Sequence, residues 1–263
     1  ETKESKDYFI YPAEHDMSIS EFFELLETVP KRRAYDEPTV VPVPYLSQQN
    51  DNLRQSMPEL LEDIAKSIPL ADEVFGSSAA MESSTAVGGM LEAVNLWIGD
   101  ERSVSSIHKD HYENMYAVIT GEKTFTLLPP TDTAFLTPYT QSYPTLQYKV
   151  MEPNKTPISP FRYIETSSTN TISSSLTGSN STNLILELQS ENCPSEYLEW
   201  LPLDPNDPEV SYKYPLYNKT TPIQCTVMPG EILYIPAMWY HRVSQNCLTI
   251  SVNYWYDQKF DFR

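Results

Sequence analysis

From Glu92 onward the chain is cut into short strand-length runs by glycine and proline, and this punctuation restricts the fold more than any other feature. Residues 93–98 form a strand-like run of aliphatic and aromatic residues. Residues 116–119 and 123–128 flank Thr120-Gly121-Glu122, read as a hairpin, and Pro129-Pro130 ends the second run. Pro229-Gly230 marks a turn before a strand over 231–235, Pro236 breaks that strand, and 248–255 forms another. Short strands with turn punctuation and few helices predict a mainly β domain, a sandwich or a barrel. With 263 residues the chain is long enough for one domain over 1–263 with its core over about 90–263.

Ahead of that core, helices are expected within about 1–75. Ser18 and Glu21 form a capping box before an apolar stripe of Ile19, Phe22, Phe23, Leu26 and Val29, which Pro30 closes. Ser56 and Glu59 repeat the device before Leu60, Leu61, Ile64 and Ile68. Residues 40–46 alternate around Pro42 and Pro44, as an edge strand would. Residues 131–225 are rich in proline and polar residues, and 166–183 are almost wholly Ser, Thr and Asn, an insertion that has no apolar face to bury.

Charge and cysteine content exclude whole classes of partner. The formal charge of −18 disfavours phosphate backbones, so no direct nucleic-acid contact is expected, and a basic protein or peptide fits better. The sequence has no apolar run of membrane-spanning length. Cys193, Cys225 and Cys247 are odd in number and show no C-x-x-C spacing, which points to reduced thiols in the cytoplasm or nucleus.

The chemistry concentrates in two places. In His108-Lys109-Asp110 the two candidate ligands are two residues apart, so on an extended chain they point the same way and can share a metal ion. The stretch from Pro229 to His241 has Gly230, five residues, Pro236, four residues and His241, which resembles the second cupin motif. The first motif is partly present: three residues after Asp110 comes Asn114, and Gly121 follows after six more. A metal-binding cupin commonly has glutamate where Asn114 stands, so the donors here are two imidazoles and one carboxylate. That set leaves half of an octahedral ion open and suits Fe(II), although zinc takes the same ligands. The open positions have room for a keto acid and for O2. Lys123, fifteen residues after His108, is placed to pair with the far carboxylate of such a co-substrate.

From about Pro42 to Asp257 the sequence resembles the small cupin-like JmjC hydroxylases. The resemblance rests on Val43-Pro44-Tyr45-Leu46, the run from His108 to Asn114, Gly121-Glu122-Lys123 with Pro129-Pro130, Gly230 to His241, and Val252-Asn253-Tyr254-Trp255-Tyr256-Asp257. It implies a double-stranded β-helix (cupin, jelly-roll) core with N-terminal helices, occurring as a monomer or a homodimer. It implies that His108, Asp110 and His241 bind Fe(II), and that Lys123, helped by the hydroxyls of Tyr45 and Ser105, pairs with the C5 carboxylate of 2-oxoglutarate. Asn114 and Asn253 are implied at the C1 carboxylate end and near the iron ligands. The implied activity is hydroxylation, with O2, of a protein substrate, at a lysine C3 carbon of a translation-associated GTPase.

Other readings share parts of this pattern. The same iron centre serves an N-methyl-lysine demethylase, although three cysteines cannot build the usual zinc-binding reader. A catalytically silent cupin-like binding module would not require His108, Asp110, His241 and Lys123 to be intact together. A zinc-dependent isomerase is disfavoured by Asn114 and Lys123. No nucleophile–base pair stands out that would support peptidase chemistry. Trp97, Trp239 and Trp255 are expected in the core or pocket wall, and His111 and Lys109 away from the metal.

Overall fold

The structure, a computed structural model, describes residues 8–28, 43–75, 91–151, 185–189 and 197–258. In chain order the regular elements are β1 (Phe9–Tyr11), α1 (Ile19–Thr28), α2 (Asn52–Ser56), α3 (Pro69–Phe75), β2 (Leu91–Gly99), β3 (Ser105–Lys109), β4 (Tyr112–Thr120) and β5 (Lys123–Leu128). Then come α4 (Thr133–Leu136), β6 (Gln141–Met151), β7 (Ile185–Gln189), β8 (Tyr197–Trp200), α5 (Val210–Lys213), β9 (Ile223–Val227), β10 (Ile232–Ile235), β11 (Tyr240–Gln245) and β12 (Thr249–Asp257). The chain divides into two compact units, 1–44 with 140–200, and 45–139 with 201–263.

In the first unit β6 pairs in parallel with β1 and antiparallel with β7 and β8. Helix α1 opens with the expected capping box. Ser18 N–H donates to Glu21 Oε2 at 2.8 Å, and Glu21 N–H donates back to Ser18 Oγ at 3.3 Å. Its buried face is Phe22, Leu25 and Leu26, whereas Ile19 is half exposed. Val29, Pro30, Cys193 and the 166–183 insertion lie outside the described residues.

The second unit is the mainly β core. Two antiparallel four-stranded sheets, ordered β10-β4-β12-β2 and β3-β11-β5-β9, make the eight strands of a jelly roll. Alternation puts one residue in two between the sheets: Trp97, Tyr116, Val118 and Ile235 from one meet Phe125, Leu127, Val227 and Val243 from the other. The outer face of the second sheet is covered from within the same unit, where Ile107, Leu128 and Tyr240 pack with Leu136, Leu201, Leu203, Val210 and Tyr217.

Three sequence expectations change here. Strands β4 and β5 are consecutive but do not pair. β4 lies between β10 and β12, and β5 between β11 and β9. The expected hairpin is a crossing from one sheet to the other, because Tyr116 and Phe125 meet edge to face in the core between the sheets, with ring centroids 5.1 Å apart. The helix expected from Ser56 does not form either. Ser56 ends α2, and Pro58, which lacks an N–H, opens a separate 3-10 turn over Pro58–Glu62 with no buried residue. Of the strand expected at 40–46, residues 40–42 lie outside the described residues, and the rest is a single bridge, Leu46 to Ile98.

That bridge begins a strap along the edge of β2. Asn52, 1 % exposed, donates from Nδ2 to the Leu96 carbonyl and accepts the Leu96 N–H at 2.8 Å. Asp51 accepts the Val94 N–H at 2.9 Å. The strap thus satisfies an edge that would otherwise be open. Asn50 and Asp51 both have left-handed backbones, φ 69° and 66°, which their residue types tolerate best after glycine.

The two turn glycines differ in what surrounds them. Both have positive φ, 76° at Gly121 and 85° at Gly230. A Cβ at Gly121 would run into the Leu248 carbonyl and Thr249, whereas nothing lies within 4 Å of one at Gly230. Gly230→Ala is expected to cost about 1 kcal/mol of stability, the left-handed penalty alone. Gly121→Ala is expected to cost at least about 3 kcal/mol, since backbone must also shift. Urea unfolding of the two variants checks this, and equal costs would contradict it.

Candidate active site

The site is built on one strand pair. β3 and β11 run antiparallel with His241 directly opposite His108, and a register irregularity follows between His241 and Val243. Cross-strand partners point to the same face, so the imidazoles meet with ring centroids 4.3 Å apart. Asp110 follows β3 immediately. Its Oδ1 is 3.9 Å from His108 Nε2 and its Oδ2 is 3.5 Å from His241 Nε2. One ligand atom from each of the three side chains lies within 4.8 Å of the others, so the group could hold a metal ion.

The donors are oriented for that. His108 Nδ1 is 2.7 Å from the Ser106 carbonyl, and His241 Nδ1 is 3.1 Å from the Trp239 carbonyl. A carbonyl only accepts, so each Nδ1 carries the proton and each Nε2 keeps its lone pair toward the shared point. Burial and the neighbouring His241 hold His108 below the usual histidine range, which favours the neutral ligand form. Burial alone would raise Asp110, but the neighbouring His241 and His108 outweigh it and keep the carboxyl below its usual range.

Lys123 is the second unusual feature. It opens β5 with its side chain on the core face, 1 % exposed, and its Nζ donates to Tyr45 Oη at 3.3 Å. The rings of Tyr116, Tyr45 and Trp97 surround the ammonium with centroids at 5.3, 5.6 and 6.0 Å. Burial lowers its pKa to about 7, and among the described residues no carboxylate pairs with it. A buried cation without a counter-ion is costly, and an incoming carboxylate would complement it. Tyr45 is pushed up to about 12 by burial, against a hydrogen bond with Ser105, so it remains a neutral donor.

A polar triad completes the floor. Trp97 Nε1 donates to Asn253 Oδ1 at 2.9 Å, and Asn253 Nδ2 donates to Asn114 Oδ1 at 3.2 Å. Both asparagines are buried, and their side chains rather than backbone groups satisfy them.

One pocket therefore gathers seven of the eight expected residues: Tyr45, Ser105, His108, Asp110, Asn114, His241 and Asn253. Lys123 does not line it and meets it through Tyr45. Trp97 and Trp255 are pocket wall, as expected, His111 is exposed, and Lys109 turns away to lie over the Tyr240 ring. Tyr116 and Gln49 were missed. Tyr116 sits two residues from Asn114 on β4 and so shares its face, a signal that was available. Gln49 comes from the β2-edge strap, where no periodicity marks it. The donor set of two imidazoles and a carboxylate suits a divalent transition metal with open positions, and the unpaired Lys123 suits an anionic co-substrate beside it.

Comparison with known proteins agrees with this architecture. The model of the cupin-like domain family matches residues 2–262. The chain is 34% identical over 257 residues to the human "Bifunctional peptidase and (3S)-lysyl hydroxylase JMJD7", covering 98% of this chain and 64% of that protein. It is 37% identical over 231 residues to "Lysine-specific demethylase JMJ32" of Arabidopsis thaliana, covering 84% and 54%. It is 35% identical over 227 residues to "JmjC domain-containing protein E" of Dictyostelium discoideum, covering 82% and 54%. The chain thus spans between about half and two thirds of the length of these relatives. With a match that runs nearly end to end and relatives of this kind, the chain belongs to the cupin-like domain family, among its JmjC proteins.

Proposed function

We propose that this protein is an Fe(II)- and 2-oxoglutarate-dependent hydroxylase of a lysine in a protein substrate. The observation that carries this is the unpaired Lys123 ammonium in the same sheet sandwich as the His108–Asp110–His241 cluster. A metal cluster alone would fit many chemistries, but a buried cation beside it calls for a dicarboxylate co-substrate. When bound, Fe(II) and 2-oxoglutarate supply the oxidising power that places one atom of O2 into a substrate C–H bond and yields succinate and carbon dioxide.

The protein's own groups bind and orient. His108 Nε2, His241 Nε2 and an Asp110 oxygen would hold the metal on one face. Lys123 Nζ, Tyr45 Oη and the Ser105 hydroxyl would receive the far carboxylate, and the free amide hydrogens of Asn114 would face the near one. Trp97, Tyr116 and Trp255 keep water from the reacting centre. No side chain need act as a general base.

Lysine as the target draws on the likeness to a protein named as a (3S)-lysyl hydroxylase, and the acidic chain suits a basic segment such as one in a translation-associated GTPase. Demethylation of N-methyl-lysine is the competing outcome, since another relative is named a lysine-specific demethylase. Incubation of lysine and methyl-lysine peptides with protein, Fe(II), ascorbate and 2-oxoglutarate, read by mass spectrometry, separates them. Gain of one oxygen matched by succinate, absent with His108→Ala, is expected. Loss of methyl groups without that gain would give the demethylase, and neither product from any peptide, with metal and 2-oxoglutarate bound, would leave an untested substrate or the binding module.

Replacing Lys123 by methionine keeps the stem and removes the charge. Its 2-oxoglutarate dissociation constant is expected to rise roughly 100-fold, the loss of a buried charged hydrogen bond of about 3 kcal/mol, with metal affinity unchanged. Titration calorimetry under nitrogen with Mn(II) in place of iron checks both quantities.

The lysine also sets a pH dependence. Its pKa of about 7 in the free protein lies below the ordinary value, and a bound carboxylate would raise it. Binding above pH 7 must therefore take up a proton, so affinity is full below pH 7 and falls as pH rises. A weakening of roughly 20-fold in 2-oxoglutarate binding is expected between pH 6.5 and 8.5, and Lys123→Met is expected to flatten it. A flat profile for the unaltered protein would sink this role for Lys123.

A further inference from the structure

We propose that Glu113 is a positioning residue of the metal centre. It holds the 236–239 turn so that Asp110 and His241 stay at metal-binding distance, a role that rests on His108, Asp110 and His241 being the ligands. The turn has an unusual task. The β4–β10 ladder ends at Ile235 opposite Asn114, and Pro236, without an N–H, stops it there. Within four residues the chain must leave one sheet and enter β11 in the other, with His241 as the second residue of that strand.

Each residue after the proline is tied to something that leads to a ligand. Ala237 N–H donates to Glu113 Oε2 at 3.1 Å. Met238 N–H donates to the Asp110 carbonyl at 2.8 Å. Trp239 N–H closes on the Pro236 carbonyl at 3.2 Å, and the Trp239 carbonyl receives His241 Nδ1. Met238 is left-handed, φ 66°, a conformation that a methionine keeps only when its surroundings impose it. The side-chain restraint on this turn is Glu113, whose same oxygen accepts the Tyr234 hydroxyl at 2.7 Å. Glu113 does not line the pocket, so it acts through the turn rather than on a bound group. Outer partners of this kind tune metal affinity by orienting the ligands.

The test uses the full chain and Mn(II) alone, titrated by electron paramagnetic resonance, with the melting temperature of the metal-free protein as the measure of folding. Glu113→Ala is expected to weaken Mn(II) binding about 10- to 100-fold. Glu113→Gln, which keeps an acceptor oxygen but loses the charge, is expected to recover most of that, to within about threefold to fivefold of the unaltered protein. Tyr234→Phe, which leaves the Ala237 bond in place, is expected to bind within about twofold. Unchanged affinity in both Glu113 variants overturns the proposal, and so does a loss in Tyr234→Phe equal to that in Glu113→Ala. Should Glu113→Ala not fold, Glu113→Gln and Tyr234→Phe decide it: a loss in the first that exceeds the second supports the role, and any other order removes it. Failure of the unaltered protein to bind Mn(II) would instead sink the ligand assignment itself.

Discussion

The metal-facing geometry depends on the register between β3 and β11. With His241 opposite His108, two imidazoles more than a hundred residues apart in sequence share one face. A slip of one residue would turn one of them to the other side. The alternate residues oppose such a slip. Ile107 on β3 and Tyr240 on β11 belong to the apolar cluster on the outer face, and Val243 belongs to the inner one. Arg242 also points outward, buried, to Asp204 at 2.7 Å. A shifted β11 would press this guanidinium into the inner core and an imidazole into the outer cluster, each a buried polar group without partners.

Lys123 follows the same parity rule on β5 and violates the usual content of a core face. Phe125 and Leu127, the next inward residues, pack between the sheets as expected, whereas Lys123 puts an ammonium there. The surrounding rings and the Tyr45 hydroxyl offset part of its desolvation and leave its titration depressed. Stability is given up at a point where a ligand carboxylate would restore it, the pattern expected of a binding site rather than of a scaffold.

What was legible in the sequence was local. His108-x-Asp110 needs only an extended chain, the Ser18–Glu21 box needs only a helix start, and Gly230 needs only a turn, and all three stand as expected. Pairing partners were not legible. Alternation in 116–119 and 123–128 shows that both strands have a buried face, but it is equally satisfied by strands side by side and by strands face to face across a core. The second arrangement holds here because Gly121 turns the chain between sheets. The β2-edge strap was illegible for a different reason. Its bonds come from the side chains of Asp51 and Asn52 to backbone groups more than forty residues away, a use of polar residues that carries no period. Gln49 reaches the pocket on that strap, so it shared the same invisibility.

Hydroxylase and demethylase share every metal-facing and anion-facing group described above, so the metal site does not choose between them. The choice falls to which carbon of the substrate stands at the open face, and therefore to the pocket wall. Trp255 lies in that wall, stacked on Tyr112 with ring centroids 4.9 Å apart and planes within 5°. A rigid, flat indole braced in this way suits the methylene stem of an extended lysine. Where the stem rests along it decides whether C3 or a methyl on the terminal nitrogen reaches the metal. The C3 carbon is near the backbone, so a C3 hydroxylase must admit the peptide main chain close to the mouth. A demethylase must instead draw in the whole side chain. The polar amide of Gln49, exposed on the strap and lining the same pocket, is the kind of group that a nearby peptide backbone would engage. For the lysyl hydroxylase proposed above, Gln49 is the group of the pocket wall that would meet that main chain.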